Sequence, residues 1–387
     1  MIKLIKSTFY KEKATLTALC KFISKAERLS IGVMCTKFEN NFSLWQKRKH
    51  SVMFNSGSSA NLGLLQALAN LKKIKRGDAV AFSALTWATN VMPLLNLGLI
   101  PIPIDVEMET LNISPKSVAK AYKKDKFKCL FITNLLGYSD NILEIQKFCK
   151  KNNILLIEDN CEALGSEYKG IKLGNFGYAS TFSFYVGHHL STIEGGMVST
   201  DDLELDSELR MVRSHGWDRH LPENKQKELR NKHGLSEFHG KYAFYDIAYN
   251  LRPTDIQGFL GVNQLRYLDE MVNKREENYK KLEKIYSNPD FIKIKTNNMS
   301  RISNFAFPVI CKSEGLIGKY IQLAEKAEIE VRPIVGGDMT TQPFFKKYVE
   351  SKYSLPNIKH IHFHGFYFGN NAEMTKKEIE FLVKTLS

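Results

Sequence analysis

Residues 130–159 read LFITNLLGYSDNILEIQKFCKKNNILLIED, and this stretch predicts a strand, a helix and a second strand. The apolar runs at 130–133 and 154–157 are typical of buried strands. Between them, four apolar residues recur at helical spacing: Ile142, Ile145, Phe148 and Cys149. Further strands of the same kind are predicted at 52–54, 79–82 and 102–104. This alternation predicts an α/β fold with a mostly parallel sheet flanked by helices, whose ligands collect at the carboxyl ends of the strands.

The pattern changes beyond residue 260. Apolar residues from Leu265 to Tyr286 keep helical spacing and predict one long helix. Two strands of a small α+β region are predicted after it, at 304–311 and 328–332. We therefore predict a boundary near residue 270, between a large domain (1–270) that includes an N-terminal helical segment and a smaller C-terminal α+β domain (271–387).

The composition is that of a globular protein, with 43% hydrophobic and 25% charged residues among 387. It excludes wholesale disorder and fibrous architectures. The 55 Lys and Arg against 41 Asp and Glu give a formal net charge of +14, which suits an anionic partner such as a phosphorylated small molecule. A solvated basic surface without a specific partner is the simpler explanation, and we expect no nucleic-acid and no membrane partner.

The residues between Asp78 and Asp105 carry no charge over a length that could cross a bilayer. Three prolines and several polar residues interrupt this stretch, so two buried strands around a helix fit it better. The N-terminal residues contain no continuous apolar segment typical of a secretory signal, and we expect a cytoplasmic protein. The six cysteines form no C-x-x-C pair, which argues against a metal centre or a disulfide framework.

The turn NSGSSA at 55–60 lies between a predicted strand and a predicted helix. The first N–H groups of a helix are unpaired and lie at the positive end of its dipole. The small residues Gly57 and Ser58 would therefore let a phosphate group approach the main chain. A plain helix N-cap explains the same turn, and both interpretations stay open.

Two further candidates follow predicted strands. Asp159 comes at the end of a buried strand, where a lone carboxylate needs a cationic partner or a hydrogen-bond donor. A pyridinium nitrogen would serve, and capping of the next helix is the alternative. Trp87 suits stacking on a flat ring, with packing in the core as its alternative.

Residues 180–197, STFSFYVGHHLSTIEGGM, combine an alternating strand, a turn with two histidines and a Glu-Gly-Gly bend. Histidine is the side chain whose ordinary pKa suits proton transfer near neutral pH. Metal binding by His188 and His189 is not predicted, because no third ligand lies at a usual spacing.

In their order and separations these motifs resemble the sugar aminotransferase family of fold type I pyridoxal-phosphate enzymes, which act on nucleotide-linked 4-ketosugars. The resemblance covers almost the whole chain. The segments that carry it are Gly32, 39–42, 57–58, Trp87, 158–159, Ser183, 194–196, 250–252, 255–257, 332–333 and 365–370. In that family a lysine follows the Ser-Phe-x-x-x motif and bonds covalently to the cofactor, whereas this sequence has His188 there.

The resemblance implies a fold type I architecture and a pyridoxal 5′-phosphate or pyridoxamine 5′-phosphate cofactor. It implies that Asp159 holds the pyridinium nitrogen and that Trp87 stacks on the ring. Three residues would bind the phosphate: Gly57, Ser58 and Ser183.

Other positions follow from the resemblance as well. Glu162 would lie near the hydroxyl group of the cofactor. Asn250 is similar to the residue that a neighbouring subunit contributes to the phosphate site, which implies a homodimer. Weaker candidates for contact with the substrate or with the glutamate carboxylate are His215, Arg219 and Arg332.

His188 changes the implied chemistry, because without the lysine ordinary transamination loses its covalent link and its proton carrier. A histidine at this position is a feature in which the sequence resembles the 3-dehydratases of this family. They start from pyridoxamine phosphate, with the histidine as base, and remove the C3 hydroxyl of a nucleotide-linked 4-keto-6-deoxy sugar. For this protein we expect GDP as the nucleotide. The products are a 3,6-dideoxy-4-keto sugar and ammonia, and L-glutamate restores the amine. His189 is expected to be structural.

Two alternatives stay open. One is a nucleotide-sugar 4-aminotransferase with an unorthodox base. The other is a non-catalytic protein that binds a nucleotide sugar or a nucleic acid through its positive charge.

Overall fold

The computed structural model describes residues 1–296, 298–350 and 353–387. The strands of the described residues are β1 (His50–Phe54), β2 (Ala79–Ser83), β3 (Ile100–Ile104), β4 (Cys129–Thr133), β5 (Leu155–Asp159), β6 (Glu167–Tyr168), β7 (Ile171–Lys172), β8 (Ala179–Ser183), β9 (Gly196–Thr200), β10 (Met299–Arg301), β11 (Ala306–Ile310), β12 (Val331–Pro333) and β13 (Gly365–Gly369).

The α-helices of the described residues are α1 (Glu12–Ile23), α2 (Val33–Gln46), α3 (Gly57–Asn70), α4 (Met92–Asn96), α5 (Pro115–Lys124), α6 (Ile142–Lys151), α7 (Leu203–Val212), α8 (Glu223–Lys232), α9 (Glu237–Gly240), α10 (Asp255–Leu265), α11 (Leu268–Leu282), α12 (Glu314–Lys326), α13 (Pro343–Tyr348), α14 (Pro356–His364) and α15 (Lys376–Leu386). Short 3-10 helices lie at Ala88–Asn90, Leu135–Gly137, Glu283–Ser287 and Met339–Thr341.

A seven-stranded sheet forms the centre of the fold, in the order β1-β9-β8-β5-β4-β2-β3. Strand β9 pairs antiparallel with both of its neighbours, and the other neighbouring pairs of this sheet are parallel. The remaining six strands therefore run in one direction, and their carboxyl ends share one edge. This arrangement confirms the predicted α/β class with a mostly parallel sheet.

The strands of this sheet are buried along most of their length, and every residue of β4, β8 and β9 is buried. Successive residues of a strand point to opposite faces, so full burial means that both faces are covered. A second apolar cluster lies behind the 180–197 segment, where Phe182 and Phe184 pack against Phe42 with ring centroids 5.1 and 5.4 Å away. This packing gives the turn with the two histidines a rigid base.

Strand β1 lies at the edge of the sheet, where a carboxylate and an arginine occupy its unpaired main-chain groups. Glu39 accepts the N–H of Met53 at 2.8 Å, and Arg213 donates to the Met53 carbonyl at 2.7 Å and to Glu39 at 2.6 Å. Burial opposes ionisation of Glu39, but Arg213 and Arg210 hold its pKa below the ordinary value. These contacts fix the end of β1 directly before the turn that contains Gly57.

The single long helix predicted from 265 to 286 is wrong. Helix α10 ends at Leu265, residues 266–267 form a turn, α11 follows, and the last residues of the range form a 3-10 helix. The side chain of Gln264 accepts the N–H of Tyr10 at 3.0 Å, and this contact joins parts of the chain that are 254 residues apart. Hydrophobic periodicity depends on residues that are close along the chain, so it could not indicate this contact.

The C-terminal region contains a three-stranded antiparallel sheet in the order β11-β13-β12. The strand predicted at 304–311 corresponds to β11. The strand predicted at 328–332 begins later, at Val331, because Glu328 takes a left-handed conformation with φ of 54° and Ile329 pairs with Ile2 instead. The predicted boundary near residue 270 falls inside α11 and stays a prediction.

The uncharged stretch before Asp105 forms β2, α4 and β3, as the sequence predicts. In the described part of the chain, no helix combines the length and the apolar character that a membrane span requires. All six cysteines are free thiols. The described residues contain no group of three or more metal-ligating side chains close enough to share an ion.

Candidate active site

A cavity of about 860 Å³ opens at the carboxyl edge of the large sheet and reaches the small C-terminal sheet. Its walls come from the large sheet, from the C-terminal region through Tyr367, and from the N-terminal segment through Leu4 and Ile5. The predicted site residues that line it are Gly57, Ser58, Trp87, Asp159, Glu162, Ser183, His188 and Arg332. The structure therefore brings these eight predicted residues together in one cavity.

Helix α3 begins at this cavity. The hydroxyl of Ser56 caps the helix by accepting the N–H of Ser59 at 3.0 Å, so the N-cap interpretation of the turn is confirmed. A Cβ atom on Gly57 would lie only 2.6 Å from the Cβ of Ser183, and glycine is therefore required where the helix meets β8. The positive end of α3, with Ser58 and Ser183 beside it, forms an anion-binding geometry in the cavity wall.

Asp159 is 4% exposed and ends β5 in the cavity wall. Its Oδ2 atom accepts hydrogen bonds from the amides of Asn61 at 3.1 Å and Asn90 at 2.8 Å, and its Oδ1 accepts the N–H of Cys161 at 2.8 Å. The alternative of a helix cap is wrong, since the next regular element is the strand β6. Among the described residues, three donors and no cationic side chain bond to this carboxyl group, which faces the cavity.

Trp87 follows β2 and lines the same cavity. Its side chain is 54% exposed, so the alternative of packing in the core is wrong. An exposed indole face in a cavity wall is suited to stacking on a planar ring.

His188 lies half-buried in the turn after β8. Its ring contacts Phe305 and Tyr185, with centroids 5.2 and 5.8 Å away. Burial lowers the pKa of His188 to about 4; Asp159 and a main-chain contact at Ser183 oppose this shift. The imidazole is therefore neutral near pH 7 and carries a lone pair that can accept a proton.

His189 points away from the cavity and is 4% exposed. Its Nε2 atom makes a hydrogen bond of 2.8 Å to the carbonyl of Ser303. Burial, aided by the charge of Arg275, lowers its pKa well below the ordinary value. A neutral histidine bonded to a main-chain carbonyl suits a structural role, and the expected role of His189 stays a prediction.

Glu162 faces the cavity from the loop after β5. One carboxylate oxygen accepts the N–H of Leu136 at 2.9 Å. Burial raises the pKa of Glu162 to about 8. The hydrogen bond from Leu136 opposes this rise, and the charge of Asp159 adds to it. Near pH 7 this carboxyl group is mostly protonated and can donate a hydrogen bond.

Three residues that were predicted to belong to the site do not line this cavity within the described chain. Asn250 is exposed and accepts a hydrogen bond from Arg252 at 2.9 Å. Arg219 is also exposed; it donates to the carbonyl of Lys241 and stacks on Trp217 at 4.0 Å. His215 contacts the same tryptophan ring, at 5.1 Å between centroids. Their predicted roles stay predictions.

Several residues that complete the site were not among those predicted from the sequence. Asn61 and Asn90 hold Asp159, and Tyr367 lines the cavity from β13. Asn61 lies four residues after Gly57, and this helical spacing could have placed it on the same face of α3. Tyr367 lies in a segment that carries the family resemblance, but no local signal gives it a role.

Comparisons with known proteins agree with this geometry. Residues 11–387 match the DegT/DnrJ/EryC1/StrS aminotransferase family. GDP-4-keto-6-deoxy-D-mannose 3-dehydratase of Escherichia coli O55:H7 is 32% identical over 367 residues, which cover 93% of this chain and 94% of that protein. The protein of the same name from Yersinia pseudotuberculosis is 31% identical over 381 residues, which cover 97% of this chain and 96% of its own.

A solved structure supports the same relationship. It is the crystal structure of GDP-4-keto-6-deoxymannose-3-dehydratase with a trapped PLP-glutamate geminal diamine. It matches this fold with a TM-score of 0.91 and 30% identity, over 100% of both chains. The motifs, the fold and these comparisons together establish that the chain belongs to the DegT/DnrJ/EryC1/StrS aminotransferase family.

Proposed function

We propose that this protein is a pyridoxamine-phosphate-dependent 3-dehydratase of a nucleotide-linked 4-keto-6-deoxy sugar, with GDP as the nucleotide. The reaction removes the C3 hydroxyl, gives a 3,6-dideoxy-4-keto sugar and releases ammonia, and L-glutamate restores the amine. One observation carries the proposal: the cavity presents the neutral imidazole of His188, and its lining residues in the described chain include no lysine.

The cavity fits the cofactor that the family uses. The carboxylate of Asp159 would hold the pyridinium nitrogen, and Trp87 would lie against the ring. Gly57, Ser58 and Ser183 would hold the phosphate at the start of α3. Glu162 would donate a hydrogen bond near the hydroxyl group. When bound, the cofactor supplies an electron sink for the reacting carbon atoms.

The side chains of this protein would handle the protons. His188 is neutral near pH 7 and accepts a proton from the reacting carbon through an imidazole nitrogen. The buried pair of Asn61 and Asn90 keeps the Asp159 carboxylate in place. Arg332 lines the cavity from the C-terminal region, where its charge suits the diphosphate or the glutamate carboxylate.

We also propose a homodimer in which Asn250 reaches the phosphate site of the neighbouring subunit. Aromatic side chains close to Asn250 in sequence are exposed in the single chain: Phe238 by 74%, Tyr242 by 70% and Phe244 by 60%. An apolar surface of this kind suits contact with a second copy. Sedimentation that finds a fully active monomer at assay concentration would exclude this arrangement.

The six free thiols suit a reducing compartment, which supports the expected cytoplasmic location. Export of an epitope-tagged protein in a fractionation experiment would contradict it.

Stoichiometry tests the proposed reaction. Enamine hydrolysis would release the nitrogen that transamination leaves on the sugar, so we expect one ammonia for each 3-deoxy product. The assay would supply GDP-linked and CDP-linked 4-keto-6-deoxy sugars with L-glutamate and would follow ammonia and sugar mass in parallel. A 4-amino sugar that retains its C3 oxygen would favour the aminotransferase alternative, and binding without turnover of any of these sugars would favour the non-catalytic one.

A further inference from the structure

Arg275 of α11 is a buried cation in contact with the turn that carries His188. It is 4% exposed, and no carboxylate of the described residues forms an ion pair with it. Its Nη2 atom donates to the carbonyl of His188 at 3.2 Å, and its Nη1 atom donates to the carbonyl of Asn370. Buried charges in proteins are normally paired, so an arginine held only by carbonyl groups needs an explanation.

The contact with Asn370 is reciprocal and joins three parts of the chain. The side-chain amide of Asn370 donates to the carbonyl of Arg275 at 3.0 Å and to Oδ1 of Asn304 at 2.6 Å. Asn304 directly follows Ser303, whose carbonyl contacts His189. The guanidinium group therefore links the histidine turn to α11 and to Asn370, which directly follows β13. Through Asn370 it also links the turn to Asn304, which lies just before β11.

The turn has few other main-chain anchors near its tip. The N–H of His188 bonds to the carbonyl of Tyr185 at 2.9 Å, inside the turn itself. Among the described residues, the hydrogen bond from Arg275 is the one that ties the His188 carbonyl to a different element of the fold. A guanidinium group can donate to both carbonyls at once from its rigid, planar fork, whereas a lysine offers a single ammonium group.

We propose that Arg275 is a positioning residue, which holds the main chain of His188 against α11 and the C-terminal sheet so that the imidazole faces the cavity. This inference rests on the proposed role of His188 as the base. It assigns a function to a buried arginine that contacts neither the cavity nor any carboxylate among the described residues.

The charge of Arg275 has a second effect on the same imidazole. Burial lowers the pKa of Arg275 only to about 10, so the guanidinium stays charged near pH 7. The charged and titratable groups that face His188 are Asp159 from β5, Arg275 from α11, and Tyr185 and His189 from its own turn. Burial has the largest effect on the pKa of His188. Asp159 raises this pKa and Arg275 lowers it, so the arginine favours the neutral form that accepts a proton.

Two substitutions separate the two effects. Arg275→Met removes both the charge and the hydrogen bonds, so we expect the pKa of the His188 imidazole to rise and kcat to fall by about 10- to 100-fold. Arg275→Lys keeps the charge but loses the planar fork, so we expect an unchanged His188 pKa with a comparable loss of kcat. The pKa would be measured by NMR of histidine-labelled protein, with the resonance assigned by its loss in His188→Asn.

Asn278→Ala is the matched control. Asn278 lies on the same helix, is equally buried and donates to the carbonyl of Asn371 at 3.0 Å, but it does not contact His188. We expect it to lower the melting temperature without a change in the His188 pKa or in kcat.

The proposal is overturned if Arg275→Met leaves the His188 pKa unshifted, or if kcat of Arg275→Lys equals that of Asn278→Ala. If Arg275→Met does not fold, the comparison of Arg275→Lys with Asn278→Ala decides the question. A wild-type enzyme without dehydratase turnover would refute the proposed function, whereas the NMR titration tests Arg275 independently of turnover.

Discussion

Replacing Asp159 by asparagine removes one negative charge from the cavity with little change in shape. The new NH2 group would then face the NH2 groups of Asn61 and Asn90, so that donors would meet donors. However, the Oδ1 atoms of both asparagines are buried and have no hydrogen-bond partner among the described residues. Both side chains can therefore turn their amides and accept the new N–H groups. We expect the free energy of unfolding of the apoprotein to fall by no more than about 1–2 kcal/mol, the value of one or two ordinary hydrogen bonds.

The same substitution should strongly weaken cofactor binding. A hydrogen bond that involves charged groups contributes about 1.5–3 kcal/mol, and the neutral amide could not stabilise the protonated ring nitrogen in this way. At about 1.4 kcal/mol for each factor of ten, the dissociation constant of pyridoxamine phosphate should rise by about 10- to 140-fold. Calorimetric titration of the apoprotein measures this constant, and thermal unfolding of the same samples reports the stability.

Asp105→Asn is the control for this experiment. Asp105 follows β3 and accepts the N–H groups of Asn357 at 3.2 Å and Ile358 at 2.9 Å, but it does not line the described cavity. Asp105→Asn should therefore lower the free energy of unfolding without weakening binding of the cofactor. The reasoning is refuted if Asp159→Asn binds pyridoxamine phosphate within about threefold of the wild type, or if Asp105→Asn weakens binding equally.

Three further predictions test other parts of the site. His188→Asn should retain cofactor binding but slow C3 dehydration by about 10²- to 10⁴-fold in a turnover assay, and equal loss in His189→Asn would contradict the assignment of the base. Burial raises the pKa of Glu162 from its ordinary value of 4.5 to about 8, so the folded state binds this proton more tightly than the unfolded chain does. The free energy of unfolding should therefore decrease as pH rises through this range, and urea titrations of Glu162→Gln should lack this part of the slope. Gly57→Ala should destabilise the fold by about 1–3 kcal/mol through its clash with Ser183, and an unchanged melting temperature would contradict the close approach.

Much of the active site could be predicted because parallel strands bring their carboxyl ends to one edge. Trp87, Asp159 and Ser183 follow or end three such strands, so recognising the strands was enough to bring these residues together. The replacement of lysine by His188 is likewise a property of the sequence alone. It indicated the type of chemistry before any distance was known.

Other features depend on contacts between distant parts of the chain. The break between α10 and α11 contains no glycine or proline, and Gln264 at that point contacts the N-terminal segment. The exposure of Trp87 excluded packing in the core, and Asp159 is held by two asparagines that lie 98 and 69 residues away from it. In each case the deciding partner is distant along the chain or is solvent, and neither leaves a local pattern.

Local sequence patterns predict the parallel strands of the large sheet and the residue types at their ends, because backbone periodicity and turn chemistry act over a few residues. Tertiary folding brings Arg275 to the carbonyls of His188 and Asn370, which are 87 and 95 residues away from it. It also decided that burial keeps His188 neutral and Glu162 protonated near pH 7. Desolvation depends on everything packed around a group, and this packing exists only once the chain has folded.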